Sequence, residues 1–289
     1  MLATLAVAGL LAGAYAHPEQ LVDTAWVAAH AADADIRIVD MRRDGFDAGH
    51  VPGAVHLDPT AIRDSKNVPS FTPTPEAFEA MMGRLGISNA TRVIVYDDRG
   101  GVYAARLWWA LNYFGHGHVA LMDGGWTKWS AEKRAVATDP RAPAPATFRA
   151  QLQPRWLAVA SDVVAAAASP FMSIIDARTA DEIAGKNLPN STPVKRGGRI
   201  PASVPIYWED LLNADRTFKS ADELRQIFER KAISPGQEII VYCLVGMRAS
   251  VDLFALHLLG YEKLRNYYGA WEEWGNRDDL PLAEVSPLF

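Results

Sequence analysis

The sequence is built from two halves that carry the same landmarks in the same order. The apolar run VIVYD ends at Asp97 and aligns with IIVYC, which ends at Cys243, so the offset (243 minus 97) is 146 residues. The helix-starting residues Thr74 and Ser220 lie at the same offset. Similarity at one fixed period indicates a tandem duplication. The chain must therefore adopt a fold that it can form twice.

Within each half, short β-forming runs alternate with helical segments. In the first half, strands are predicted at Ile36–Asp40, Val93–Tyr96 and His118–Met122, and a helix is predicted to begin after Thr74. Alternation of this kind is typical of a mainly parallel sheet with helices on its faces. The sequence therefore predicts an α/β fold class with two tandem, doubly wound domains.

The pattern divides the chain into four segments. Residues 17–134 and 158–289 are the two predicted domains, and residues 135–157, which begin in a Pro- and Ala-rich run, are the linker. Residues 1–16 are apolar, contain no charged side chain and end in the small-x-small pattern of a cleavage site, Ala14-Tyr15-Ala16. We predict a signal peptide that is cleaved after Ala16, and hence a periplasmic or secreted protein. The alternative for this run is an N-terminal core helix.

The composition limits the partners of the chain. A net charge of -5 argues against nucleic acid. The apolar run at the start is too short to span a bilayer comfortably, so no membrane association is expected after cleavage. The histidines show no spacing typical of metal ligands, and we predict neither a metal nor an organic cofactor.

The single cysteine of the chain, Cys243, opens a six-residue turn. The turn joins a β-forming run, Ile239–Tyr242, to an apolar helix predicted over Ala249–Leu259. A turn that leads from a strand into a helix directs successive backbone N–H groups inward and forms an anion-binding nest. This setting favours the thiolate, the nucleophilic form of cysteine. Gly246 gives the turn backbone freedom, and Arg248 adds a fixed positive charge near the sulfur.

The pattern Cys-x-x-Gly-x-Arg after an Ile/Val strand resembles the active-site loop of the rhodaneses, a family of sulfurtransferases. The resemblance implies an enzyme in which Cys243 accepts a sulfane sulfur as a persulfide and passes it to a thiophilic acceptor. Asp97 stands where the second half has Cys243, which implies an inactive N-terminal domain and a catalytic C-terminal domain. Four residues separate Cys243 from Arg248, and this spacing favours sulfur transfer over the phosphate-ester hydrolysis of related proteins with a longer loop.

The first half also resembles the family's N-terminal signature. Asp40-x-Arg42 and the run GHVPGA, which contains His50, carry this likeness. In the family these residues are mostly architectural, so His50 is not expected to be catalytic. In the second half the corresponding run reads GRIPAS and follows a polar insertion, residues 185–197. Lys195 and Arg196 of the insertion and Arg199 of the run make this a basic loop. Whether this basic loop contributes to substrate binding stays open at this point.

The resemblance also implies the residues and partners of the site. The catalytic residue is Cys243, and the residues predicted to bind the substrate are Leu244, Val245, Gly246, Met247 and Arg248. The side chain of Arg248 either holds the anionic donor or organises the loop, and the sequence leaves both roles open. The expected partners are a small anionic sulfur donor and a thiol or cyanide acceptor, and the protein is expected to act as a monomer.

Three functions are compatible with this loop. The first is sulfur transfer from thiosulfate, which the dense positive charge of Arg248 favours. The second is the same chemistry on 3-mercaptopyruvate, whose enzymes usually have small residues and a terminal Thr in this loop, so Arg248 counts against it. The third is a non-catalytic module that binds sulfur or senses oxidation through Cys243.

Overall fold

Each half of the chain forms one five-stranded parallel sheet in the computed structural model, which describes residues 14–139, 143–186 and 192–283. The strands of the first half are β1 (Leu21–Val22), β2 (Ile36–Asp40), β3 (Val55–His56), β4 (Arg92–Tyr96) and β5 (Val119–Met122). Its helices are α1 (Thr24–His30), α2 (Pro75–Arg84), α3 (Val102–Tyr113) and α4 (Gly125–Ala131). Short 3-10 helices at Pro18–Gln20 and Pro59–Ile62 complete it.

The second half repeats this order. Its strands are β6 (Leu157–Ala158), β7 (Met172–Asp176), β8 (Ser203–Pro205), β9 (Glu238–Tyr242) and β10 (Leu264–Tyr267). Its helices are α5 (Ala160–Ala167), α6 (Ala180–Ile183), α7 (Ala221–Glu229), α8 (Ala249–Leu258) and α9 (Ala270–Trp274). Short 3-10 helices lie at Pro154–Trp156 and Trp208–Leu211.

The strand order is the same in the two sheets. It is β1-β5-β4-β2-β3 in the first and β6-β10-β9-β7-β8 in the second, and all pairs are parallel. The central strand β9 pairs Ile240 with Ile174 on one side and with Arg265 on the other. A parallel strand covered on both faces needs apolar residues throughout, as IIVY provides. The predicted fold class, two tandem α/β domains, is confirmed, and Cys243 lies at the carboxyl edge of the second sheet.

Local sequence signals explain the helix starts. The Thr74 hydroxyl accepts a hydrogen bond from the Ala77 amide (3.3 Å) at the start of α2. Ser220 and Glu223 form a reciprocal capping box at the start of α7. The edge strands β1 and β6 escaped the sequence analysis because each has only two residues, too few for a period to show.

Buried polar side chains hold the turn that follows β2 in the first half and β7 in the second. In the second half, Arg178 forms a two-pronged ion pair with Asp176 (2.9 and 2.7 Å), and the Tyr242 hydroxyl donates to the same carboxylate (2.5 Å). All three side chains are buried, so each polar group needs the others. The first half repeats the arrangement with its own Asp-x-Arg pair and Tyr96. His50 is buried beside these side chains, where its Nδ1 contacts the Phe46 carbonyl oxygen (2.9 Å).

Helices α3 and α8, one from each half, pack against each other. Trp108 on α3 meets Phe254 on α8 edge to face, with ring centroids 5.1 Å apart. Trp109 packs on Tyr268, which follows β10, at 4.6 Å. One continuous apolar core includes residues of both helices and of both sheets. The two halves therefore share a core, and the first half reaches the carboxyl edge of the second sheet.

The structure describes only part of the predicted signal peptide and of the predicted linker. Residues 1–13 of the predicted signal peptide lie outside the described residues. The Ala16 amide donates to the Leu258 carbonyl oxygen (2.7 Å), so the expected cleavage point contacts the second half. In the predicted linker, Phe148 and Trp156 are buried. No helix in the described part of the chain has the length and apolar character needed to cross a bilayer.

His257, in the last turn of α8, lies in the interface between the halves. Its ring is 5.3 Å from Trp108 and stacks on His17 at 4.3 Å. Burial lowers the pKa of His257 to about 3, and the neighbouring His17 adds to this effect. The folded protein thus keeps this imidazole neutral, whereas the unfolded chain takes up a proton below a pKa of 6.5. Stability contributed by the neutral ring is present above pH 6.5 and is lost as the pH falls below it.

We therefore predict that His257→Gln flattens the loss of stability in mild acid. Between pH 7.5 and 5.0 the native sequence should lose about 2 kcal/mol more free energy of unfolding than the variant, since each pH unit below the unfolded pKa is equivalent to about 1.4 kcal/mol. Urea unfolding at both pH values measures this difference. The comparison at pH 7.5 gives the pH-independent cost of the substitution. Parallel pH profiles for the two proteins would contradict the assignment.

Candidate active site

The turn after β9 is held by backbone hydrogen bonds from α9. The α9 amides of Trp271 and Glu272 donate to the carbonyl oxygens of Cys243 (3.0 Å) and Leu244 (2.9 Å). With these carbonyls directed toward α9, the following N–H groups are directed the other way. The side chain of Cys243 is fully buried, so its sulfur lies inside the protein rather than on its surface.

Gly246 occupies a position that only glycine fits. Its φ of +72° lies in the left-handed region, and a Cβ there would collide with the ring of Tyr268. The Gly246 carbonyl oxygen accepts a hydrogen bond from Asn266 Nδ2 (2.9 Å), which fixes the middle of the turn to β10. The turn is thus held at its start by α9 and at its centre by β10.

The first half shows what such a turn binds. There the Asp97 carboxylate accepts four backbone hydrogen bonds, two at each oxygen. The donors are the amides of Arg99 (2.8 Å), Gly101 (2.9 Å), Tyr103 (2.6 Å) and Ala104 (2.9 Å). Asp97 is 1% exposed, so these amides replace water as the partners of its charge. The turn in this fold is therefore an anion-binding nest, and in the first half the chain supplies the anion itself.

The second half has backbone amides at the matching positions after Cys243. At the repeat offset they belong to Val245, Met247, Ala249 and Ser250. The Ser250 amide donates to the Met247 carbonyl oxygen (3.2 Å). Within the ranges that the structure describes, the other three amides donate to no acceptor. A neutral thiol cannot satisfy them, whereas a negative charge carried by the sulfur would lie where the carboxylate lies in the first half.

Arg248 pairs with an acidic residue of α6. Its Nη1 and Nη2 donate to the two carboxylate oxygens of Glu182, both at 2.7 Å. Burial opposes the charged form, but Glu182 and the Cys243 sulfur outweigh it, so the pKa of Arg248 lies above its ordinary value. Burial raises the pKa of Glu182, and the Arg248 guanidinium more than offsets this, so that pKa lies below its ordinary value. Of the two roles left open for Arg248, the structure shows a side chain that ties the end of the turn to α6.

The first half contributes side chains to this region. Arg63 donates to the carbonyl oxygens of Tyr268 (2.7 Å) and Val245 (3.3 Å) and forms an ion pair with Glu272. The Tyr268 hydroxyl donates to the Ile62 carbonyl oxygen (3.0 Å). Contacts across the two halves therefore fix the residues that flank the turn. Their sequence separation of about two hundred residues hid them from sequence analysis.

Two buried ionisable residues at equivalent positions were also missed. Arg106 on α3 and Asp252 on α8 lie at the repeat offset, and each is 1% exposed or less. Burial, and next the charge of Cys243, raise the pKa of Asp252 well above its ordinary value. A single charged residue in an otherwise apolar helix is the signal that could have revealed both.

The other residues predicted to bind substrate lie at different depths. Leu244 is 5% exposed and belongs to the apolar core behind the turn, whereas Val245 and Met247 are half-buried. In the basic loop, Arg196 donates to the carbonyl oxygens of Trp274 (2.7 Å) and Leu280 (3.1 Å), a structural role. Among the described residues no group of His, Cys, Asp and Glu could hold a metal ion.

Comparisons with known proteins agree with this geometry. A family model described as a rhodanese-like domain matches residues 23–132 and again residues 159–277. Sulfur carrier protein TtuD of Thermus thermophilus is 36% identical over 93% of this chain and 98% of its own length. Thiosulfate sulfurtransferase of Corynebacterium glutamicum is 34% identical over 93% of this chain and 91% of its own. The crystal structure of SseA from Escherichia coli, a 3-mercaptopyruvate sulfotransferase, has a TM-score of 0.77 at 30% identity and covers 87% of this chain and 98% of that one.

We predict that the Arg248–Glu182 pair contributes to the stability of the fold mainly through its two parallel hydrogen bonds. Arg248→Met should lower the free energy of unfolding by about 3 kcal/mol, because it leaves a buried carboxylate without a partner. The double variant Arg248→Met/Glu182→Met should recover most of that loss, and Arg248→Lys should recover little because an ammonium cannot form two parallel bonds. Urea unfolding of the four proteins measures this.

The exposed pair Arg149–Glu79 serves as the matched control, since Arg149 has a side chain that is 72% exposed. Arg149→Met should change stability by less than about 1 kcal/mol. If Arg248→Met lowers the free energy of unfolding no more than Arg149→Met does, the proposed role of the pair is refuted. A double variant that is less stable than Arg248→Met alone would also refute it.

Proposed function

Because the chain belongs to the rhodanese family of sulfurtransferases, we propose that it moves a sulfane sulfur from thiosulfate to a thiol or cyanide acceptor through a persulfide on Cys243. The family membership confirms the resemblance drawn from the loop and makes the protein a transferase with a repeated domain. The donor, the persulfide and the residues that carry it belong to the proposal.

One observation carries the proposal: the Asp97 carboxylate in the nest of the first half. From its Cβ, an aspartate places its negative oxygens two bonds away, through Cγ. A cysteine persulfide places its negative outer sulfur two bonds from Cβ, through Sγ. The same turn can therefore hold either anion, and in the second half the amides of Val245, Met247 and Ala249 are the donors that would meet the outer sulfur.

The reaction follows as a double displacement. The Cys243 thiolate attacks the outer sulfur of thiosulfate, the new S–S bond forms, and the bond to the sulfonate sulfur breaks with its electron pair leaving as sulfite. The acceptor then attacks the outer sulfur of the persulfide, and the electron pair of that S–S bond returns to Cys243. With cyanide the product is thiocyanate. The loop amides stabilise the sulfur anion in each resting state.

We propose thiosulfate rather than 3-mercaptopyruvate as the better donor. A hydroxyl at the loop would suit a keto acid, and residues 244–248 carry no hydroxyl. The hydroxyl of Ser250, two residues further on, is buried and donates to the Gly246 carbonyl oxygen (3.4 Å). The relative kcat/KM values of the two donors test this ranking directly.

We also propose that the protein acts as a monomer. The first half supplies Arg63 and the Tyr268 contact that complete the surroundings of the turn, so no second copy is needed for the site.

The first half has an aspartate in place of the nucleophile. Because a carboxylate cannot take up sulfane sulfur, we propose that the second half alone catalyses sulfur transfer.

The experiment is mass spectrometry of the protein after thiosulfate treatment. The native protein should gain one sulfur atom, because Cys243 is the single thiol in the sequence. Cys243→Ser should gain none and should keep its fold, since the hydroxyl is a small buried replacement. Addition of cyanide should remove the sulfur and release one equivalent of thiocyanate.

Turnover separates the enzyme from a module that only stores sulfur or senses oxidation. Sustained thiocyanate formation from thiosulfate and cyanide supports the enzyme. Sulfur gain by Cys243→Ser would refute the persulfide on this residue. One round of loading without a second would refute catalysis and leave a sulfur-binding module as the function.

We further propose that the chain is exported to the periplasm or secreted, with cleavage after Ala16. The apolar, uncharged run 1–16 and its Ala-x-Ala end support this. Cleavage would remove Tyr15, whose hydroxyl donates to the Lys219 carbonyl oxygen and whose pKa is raised to about 12, chiefly by burial. The mature domain therefore has to fold without this contact.

N-terminal sequencing of the protein from its native compartment should begin at His17. Ala16→Asp should block cleavage, because the residue before the cut must be small and uncharged. Protein that keeps Met1 in the cytosolic fraction would refute export.

A further inference from the structure

Helix α3 of the first half carries one charged side chain, Arg106, inside the shared core. Arg106 is 1% exposed, and its neighbours along the helix are apolar and buried. Its Nε and Nη2 atoms have no hydrogen-bond acceptor in the part of the chain that the structure describes. A buried cation without an acceptor is strongly unfavourable unless something else meets its charge. This side chain therefore needs an explanation that packing alone does not give.

Arg106 lies next to the catalytic turn although it belongs to the other half. Its guanidinium carbon is 5.5 Å from the centre of the Tyr268 ring, and that ring packs directly against Gly246. Burial lowers the pKa of Arg106; Arg63 adds to this fall, whereas Tyr268 and, to a smaller extent, Cys243 oppose it. Arg106 thus approaches the turn from the first half, while Arg248 approaches it from the second.

The three arginines around the turn differ in their partners. Arg248 is neutralised by Glu182, and Arg63 is neutralised by Glu272. For Arg106 no carboxylate lies within ion-pair distance among the described residues. Asp252, the buried acid at the equivalent position of α8, does not pair with Arg106, since neither of its carboxyl oxygens has a hydrogen-bond partner among the described residues. Of these three charges, the one left to meet a substrate anion is that of Arg106.

We propose that Arg106 binds the sulfonate oxygens of the sulfur donor while Cys243 attacks its outer sulfur. This inference rests on the proposed function and adds to it a donor-binding residue contributed by the half that has no nucleophile. Nε and Nη2 lie on one edge of the guanidinium and form the pair of N–H groups that binds two oxygens of one oxyanion in parallel.

The proposal assigns the charges of the first displacement. Thiosulfate brings two negative charges into a buried site. As the bond between the two sulfurs breaks, the electron pair stays with the sulfonate sulfur and charge grows on the leaving sulfite. Arg106 stabilises that leaving group, and the loop amides stabilise the sulfur that stays on Cys243. Loading of Cys243 from a donor that has no sulfonate oxygens should therefore not depend on Arg106.

The test compares two donors and two half-reactions in Arg106→Met and Arg106→Lys. Thiosulfate carries the sulfonate group, whereas inorganic polysulfide loads the same persulfide without it. In Arg106→Met, loading from thiosulfate should fall about 100-fold in kcat/KM, and inhibition by sulfite should weaken by a similar factor. Loading from polysulfide and discharge by cyanide should change less than about threefold. Arg106→Lys should be intermediate for thiosulfate, because it keeps the charge but loses the paired N–H edge.

Arg149→Met is the matched control, since Arg149 is an exposed arginine of the linker, paired with Glu79 of the first half, and its replacement should leave every rate unchanged. Equal losses with thiosulfate and polysulfide would refute donor binding by Arg106, and so would unchanged sulfite inhibition. A native protein that loads from polysulfide but not from thiosulfate would refute the donor and this role together. A native protein that loads from neither would refute the persulfide itself, which distinguishes failure of the proposed function from failure of this inference.

Discussion

Backbone N–H groups that converge at the end of a buried strand must meet a negative charge, and the rest of this structure is arranged around that requirement. In the first half the Asp97 carboxylate meets four of them. In the second half the residue at that position is Cys243, and in the proposed mechanism its sulfur carries the charge. Other contacts hold the turn in place: α9 binds its carbonyls, Asn266 binds the Gly246 carbonyl oxygen, and Glu182 binds Arg248.

The two halves have the same fold but differ at the turn after the central strand. The first half keeps the buried Asp-x-Arg pair, the nest and the helix of the common fold, but its nest is filled by its own side chain. Because α3 packs on α8, residues of the first half reach the turn of the second, and Arg63 binds the Val245 carbonyl oxygen directly. The first half is therefore part of the surroundings of the Cys243 turn, and a separated C-terminal domain would lose these contacts.

The sequence was sufficient for whatever depends on local pattern. The parallel strands were predicted from apolar runs, and the helix starts were predicted from Thr74 and from Ser220 with Glu223. The repeat offset aligned Cys243 with Asp97. It could not show which partner a charged side chain takes. Glu182 is 66 residues from Arg248, so the pair that orders the turn is visible only after folding. Burial of Leu244 and the approach of Arg106 depend on how the two sheets and halves pack, which no local period encodes.

The central claim is that the outer sulfur of the Cys243 persulfide takes the place that the Asp97 carboxylate takes in the first half. A high-resolution crystal structure of the thiosulfate-loaded protein tests it directly. The account predicts an outer sulfur within about 3.5 Å of the amide nitrogens of Met247 and Ala249, superimposing on the Asp97 oxygens when the two halves are aligned. An outer sulfur directed away from these amides, with the amides bonded to other groups, would contradict it.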